Sequence, residues 1–189
     1  MKSSYQMIPF PVQEYLGQYL AFVLNQKMIS ENGVQSIVVD RHTELGRIIL
    51  QSLEVSYKKP VPLKGVLHIQ VSPFAGNNYN DTPNGRRCFY TIGPKAYRSL
   101  SDWLKLDFEE AVFNYSQGAE FAHKVNGWTP DQKRKGIRKR AILEFCKLHG
   151  VSPDKRSFDS LFKMVQRRLY RRKNNRTAGL SLFAQGLSY

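Results

Sequence analysis

The chain has 189 residues, 41% of them apolar and 12% aromatic. That is enough for a packed core and excludes wholesale disorder. Its formal net charge of +14 points to an acidic partner, of which nucleic acid is the commonest. Cys88 and Cys146 lie in different predicted elements, and no Cys/His cluster has metal-ligand spacing. No structural zinc and no cofactor is therefore expected, and a reduced intracellular, cytoplasmic setting fits.

The charge is segregated along the chain. Residues 1–123 hold 12 Lys/Arg against 11 Asp/Glu, whereas residues 124–189 hold 17 against four. A charge serving solubility alone would be spread more evenly. The expectation is a near-neutral body over 1–125, a basic helical module over 126–176 and a tail over 177–189.

In chain order, the opening "MKSSYQMIPFPVQEYLGQYLAFVLNQ" is interrupted by Gln13, Glu14, Gly17 and Gln18, which does not suit a secretory signal core. No run approaches the length of a membrane span, and no membrane partner is expected. Val12, Tyr15, Leu16, Tyr19, Leu20 and Val23 recur at helical spacing. "SENGVQ" is a turn and "VQSIVV" a short buried strand. "DRHTELGRIILQSLEVSY" reads as a helix capped by Thr43 or Asp40, with Leu45, Ile48, Ile49 and Leu53 on one face. "VLHIQV" alternates, which places Leu67, Ile69 and Val71 on one side and an exposed His68 with Gln70 on the other.

Residues 73–87, "PFAGNNYNDTPNGRR", are dense in turn formers and lead into a third strand, "CFYTI". The pattern predicts a hairpin with a long excursion at its tip. Phe74, Tyr79, Arg86 and Arg87 on that excursion are the residue types that grip nucleic acid, although a plain surface loop is the favoured reading of them. Pro94 then suits a first helical position. It opens one broken or two consecutive helices carrying Trp103, Leu104, Phe108, Val112 and Phe113. "NGWTPD" marks the module boundary.

In the module, Thr129 and Pro130 open a helix that runs to Gly150 with Ile137, Ala141, Phe145 and Leu148 as its buried stripe. A second helix, "FDSLFKMVQRRLYRR", buries Phe158, Leu161, Phe162, Val165 and Leu169. The pair loosely resembles a helix-turn-helix. Six cations fall in the eight residues 133–140: Lys133, Arg134, Lys135, Arg138, Lys139 and Arg140. On the second helix Arg167, Arg168, Arg171, Arg172 and Lys173 lie away from the centre of the apolar stripe. No Asp or Glu occurs between Lys163 and Arg176, so like charges at i and i+4 repel unless an anionic partner relieves them. These cations, with Arg86 and Arg87, are the expected nucleic-acid contacts. Arg suits phosphate because its planar fork donates two hydrogen bonds at once.

"SPDKRSFDSLFKMVQRRLYRRK" resembles C-terminal helices of small basic proteins from phages and mobile elements of gut bacteria. The likeness covers about the C-terminal 50 of the 189 residues and implies no activity. His68-Ile69-Gln70 resembles the His-hydrophobic-Gln metal motif of rolling-circle replication endonucleases, which attack DNA with a Tyr in a YxxK pattern. Here Tyr97 and Tyr115 lack the Lys three residues on. Asp40, His42 and Glu44 stand near a strand end, where nuclease carboxylates often sit, but helix capping explains them too. No serine-hydrolase elbow, Walker A or dinucleotide fingerprint is present.

The expected fold class is therefore α+β: a small mixed body with about three strands and flanking helices, then a mainly helical basic module. The reading favours binding over catalysis. Nucleic acid is the expected partner, double-stranded DNA ahead of RNA, held through phosphate contacts in a regulatory or accessory role in a phage or mobile element. A virion or assembly protein whose basic helices meet acidic protein or packaged DNA is the alternative. A small metal-dependent endonuclease using His68 is the second.

Overall fold

The computed structural model describes residues 6–71, 89–126 and 134–185, apart from the side chains of 134, 135 and 172–185. The fold is α+β. Among the described residues six strands lie in two sheets, and the C-terminal part is helical. Compact packing divides the chain into two units, residues 1–106 with 149–151, and residues 107–148 with 152–189.

In the first unit the four-stranded sheet is built around β5 (Leu67–Val71). It pairs antiparallel with β1 (Gln6–Phe10), Ile8 opposite Ile69, and parallel with β3 (Val34–Val38), Ile37 opposite Ile69. β2 (Ile29–Glu31) adds the far edge by an antiparallel hairpin with β3. That hairpin turns through Asn32 and Gly33 at φ 52° and 77°, the paired left-handed conformation that suits two-residue hairpin loops. A parallel β3–β5 pair requires a crossover. The crossover contains α2 (Glu44–Gln51) and β4 (Leu53–Ser56), and α1 (Glu14–Val23) precedes β2.

All five β5 residues are buried. The alternation of "LHIQV" therefore does not mark a half-exposed strand: β5 is covered on both faces, and His68 and Gln70 are inside. Gln70 Nε2 donates to Ser36 Oγ at 2.7 Å, which satisfies one of the buried polar groups of the sheet.

Three of the strands, β3, β5 and β6 (Phe89–Ile92), fall where the pattern places them. β1, β2 and β4 are additional. β6 pairs antiparallel with β4 in a separate two-stranded sheet, so β5 and β6 are not the two arms of one hairpin. Segment "LEVS" forms strand β4 rather than continuing α2, because Val55 and its neighbours pair with Tyr90 across a long sequence separation. No local periodicity encodes that pairing. The Gln6 carboxamide links the two sheets. Its Nε2 donates to the Tyr90 carbonyl at 2.7 Å and its Oε1 accepts the Tyr90 N–H at 3.0 Å, as a neighbouring strand's backbone would.

Thr43 caps α2: Thr43 Oγ1 accepts the Gly46 N–H at 3.0 Å. Asp40 Oδ1 instead accepts the His42 N–H at 2.9 Å and fixes the preceding turn. Gly46 is required here, since a Cβ would overlap the Asp40 carbonyl oxygen.

Pro94 opens α3 (Pro94–Val125), one continuous helix of 32 residues. The compact units divide inside it, between Leu106 and Asp107, upstream of the boundary read from charge. The second unit packs the C-terminal part of α3 with α4 (Arg134–Leu148) and α5 (Lys155–Gln185), which extends through the segment expected as a tail. Its core holds Phe108, Val112, Phe113, Ile142, Phe145 and Val165. Phe145 meets the rings of Phe108 and Tyr115 edge-on. Gly150 takes the left-handed conformation, φ 62°, past α4.

The α4 stripe is rotated from expectation. Ala141, Ile142, Phe145 and Cys146 are buried, whereas Leu148 is 64% exposed. At about 100° per residue the centre of the buried face lies roughly 90° from Leu148.

Candidate nucleic-acid interface

Helical geometry sorts the cations of the second unit. On α5, Leu161 and Val165 are buried while Phe158, Phe162 and Leu169 are half-buried. About 100° per residue places Arg156, Lys163, Arg167 and Arg171 within roughly 80° of one another, diametrically opposite Val165. All four are exposed. Arg168 lies between the two faces, turned toward α3.

Arg168 is accordingly paired. Its Nη1 donates to Glu110 at 2.5 Å, its Nη2 lies 3.5 Å from Glu109, and its guanidinium sits 5.7 Å from the Phe113 ring centroid. On α4, Arg138 falls in the middle of the Ala141–Cys146 buried face by the same geometry, and its Nε donates to Glu120 of α3. Two of the cations expected to face a ligand are thus occupied by carboxylates within their own unit. The absence of acids at i±4 said nothing of acids supplied by another helix. Because α3 brings Asp107, Glu109, Glu110 and Glu120 into this unit, it carries 17 Lys/Arg against eight Asp/Glu, net +9 rather than the +13 of residues 124–189.

Lys139, Arg140, Lys163, Arg167 and Arg171 are exposed and make no ion pair among the described residues. Lys139 Nζ sits 5.3 Å from the centroid of the half-buried Phe162 ring, a contact that also ties α4 to α5. Of the other expected contacts, Lys133, Arg86 and Arg87 lie outside the described residues, as does the rest of the 74–87 excursion. Arg134 and Lys135 belong to α4, and Arg172 and Lys173 to α5, with side chains outside those described.

Sequence reading missed three residues of this face. Lys155 and Arg156 line a shallow depression with Asp159, Ser160 and Lys163 at the start of α5. Tyr170 is 68% exposed and falls between Lys163 and the buried flank, about 20° from Lys163. The same angular arithmetic, carried along the whole helix, would have found Arg156 and Tyr170; Lys155 lies about 80° from Val165, at the flank of the buried stripe. Asp154 opens α5: its Oδ1 accepts the Ser157 N–H at 2.7 Å, and that hydrogen bonding holds its carboxyl below the usual carboxylate range.

Two of the catalytic candidates, His68 and Asp40, have structural roles. His68 is fully buried. Its Nε2 accepts the Leu63 N–H at 3.0 Å, which leaves Nδ1 as the protonated nitrogen facing the Gln35 carbonyl at 3.3 Å. Both ring nitrogens are engaged by backbone, so neither offers a lone pair to a metal. No group of three His, Cys, Asp or Glu side chains that could hold a metal ion occurs among the described residues. Asp40 and Thr43 are absorbed by the turn and cap before α2. Burial pushes the Cys146 thiol up to about 11, the reverse of what a nucleophilic cysteine needs. Among the described residues no helix is long and apolar enough to cross a membrane.

Comparison with protein-family models, curated proteins and solved structures gives no match.

Proposed function

We propose that this protein binds nucleic acid, double-stranded DNA ahead of RNA, through phosphate contacts from the solvent-facing cations of its C-terminal helical unit. One observation carries the reading. Lys163, Arg167 and Arg171 form an exposed row on α5, opposite its buried face and without carboxylate partners among the described residues. From Lys163 to Arg171 the helix rises about 12 Å, close to the axial rise of three to four nucleotides of one strand of B-DNA. Lys139 and Arg140 of α4 add charge to the same unit.

Arg138 and Arg168, which carboxylates neutralise and hold in place, are assigned to the packing of the unit rather than to the ligand. Contacts of this kind position the protein on the backbone and carry no sequence information. The expected behaviour is binding that is indifferent to base sequence and strongly weakened by salt.

A gel-shift series with random duplex, single strand and RNA at several salt concentrations tests this. Each phosphate contact adds about −0.9 to the slope of log K against log salt on duplex DNA, so a slope of roughly −3 or steeper is expected. Absent binding, or binding indifferent to salt, overturns the reading.

A further inference from the structure

We infer that Tyr170 is a stacking platform for an unpaired base, so that the α5 cation row takes single-stranded nucleic acid by base as well as by backbone. This rests on the phosphate-binding reading of the same row. A tyrosine 68% exposed on a well-formed helix leaves most of its ring in water, an unfavourable place for an aromatic surface. Tyr57 is as exposed and is followed by Lys58 and Lys59, but in a bend; Tyr170 differs in sharing one side of a helix with its cations. Arg167 stands three residues before it, one turn away on the same side of α5, Arg171 follows it, and Lys163 precedes it by seven residues, two turns below. All three cations are exposed and lack an acidic partner among the described residues.

Single-strand binding sites combine these two elements: cations that track the backbone, and an aromatic face on which a base lies. A paired base in a duplex has both faces covered by its neighbours and offers nothing to Tyr170. A base freed from the stack can cover the ring while its flanking phosphates meet Arg167 and Arg171. The phenol is not required for stacking, whereas the ring is. The ligand inferred for Tyr170 is therefore an unpaired stretch of polynucleotide, in addition to the duplex that the cation row takes by phosphate alone, and the contact is tolerant of base identity because every base has a π-face.

The test compares a thymidine oligonucleotide about 16 nucleotides long with an abasic oligonucleotide of the same length. The two present equal phosphate charge and differ in bases. The wild-type chain is expected to bind the thymidine polymer more tightly. Tyr170→Ala should weaken that binding roughly 5- to 150-fold, the range that stacking of one base supports, and leave the abasic polymer unaffected. Tyr170→Phe should bind both as the wild type does. Equal wild-type affinity for the two polymers, or a Tyr170→Ala loss that is equal on both or absent on both, overturns this inference and leaves the phosphate row standing. Binding that is absent or insensitive to salt with either polymer and with duplex overturns the phosphate reading, and this inference with it.

Discussion

Arg168 on α5 donates to Glu110 on α3 across 2.5 Å, with Glu109 3.5 Å from its other terminal nitrogen. One turn of α5 before it, Met164 carries no charge, and one residue before it Arg167 faces solvent. Two adjacent arginines in "QRRLYRR" therefore have different duties, decided by the side of the helix each occupies.

That difference can be measured by substitution. Replacing Lys163, Arg167 and Arg171 together with Gln should reduce the magnitude of the salt slope on duplex DNA by about 2.7, at 0.9 per contact, with helicity retained. Arg168→Gln should leave the slope unchanged. Equal slopes for the triple variant and the wild type would assign the row to solvation alone.

Arg168→Gln should instead appear in stability. Its carboxylate partners are part-exposed, and screening limits such pairs to about 0.2–1 kcal/mol each. The Phe113 ring contact adds about 0.5–1 kcal/mol. A loss of roughly 1–2 kcal/mol is expected by urea titration, and a double-mutant cycle with Glu110→Gln should show a coupling of about 0.2–1 kcal/mol, the share of that one pair. Independent, additive effects would mean the pair is not maintained in solution.

Gly46→Ala tests the start of α2. In an ordinary exposed helix position this change stabilises by about 1 kcal/mol. Here the added methyl group meets the Asp40 backbone carbonyl, which cannot move without disturbing the Thr43 cap that also donates to it at 2.9 Å. A lower melting temperature is expected, with a larger loss than the roughly 1 kcal/mol of Thr43→Ala. A variant as stable as the wild type would show that the turn relaxes freely.

Cys146 gives a pH-dependent signature. Its thiol, on the buried face of α4, is raised from 9.0 to about 11 by desolvation. The folded chain thus holds this proton more tightly than the unfolded chain, so the contribution is present below pH 9.0 and is lost as pH rises through about 11. In a Cys88→Ser background, reaction with a thiol reagent at neutral pH should be slow until the chain is unfolded. Rapid labelling of the folded protein at neutral pH would contradict the burial.

His68 is the test of the buried sheet. Removing its fully buried ring leaves a cavity in the sheet, and the part-buried Leu63 N–H and Gln35 carbonyl lose that partner. His68→Ala should therefore lower stability strongly. Added divalent metal should not raise the melting temperature of the wild-type chain through this residue, and a rise that His68→Ala abolishes would restore the endonuclease reading.

Sequence alone determined what depends on neighbours along the chain. A cap at Thr43 or Asp40, Pro94 as the first residue of α3, Gly150 at the left-handed position and the periodic apolar stripe of α5 are local matters of dihedral preference and spacing, and they are legible as such. Only the tertiary structure decided what depends on residues distant in sequence. β4 is a strand because Tyr90 pairs with Val55, His68 is interior because the chain at Leu63 lies against its ring, and Arg138 and Arg168 are neutralised because α3 brings Glu120, Glu109 and Glu110 to them. The sign and number of charges can be counted from composition. Which of them face solvent depends on how helices rotate against one another to bury their apolar stripes, and that is settled by packing.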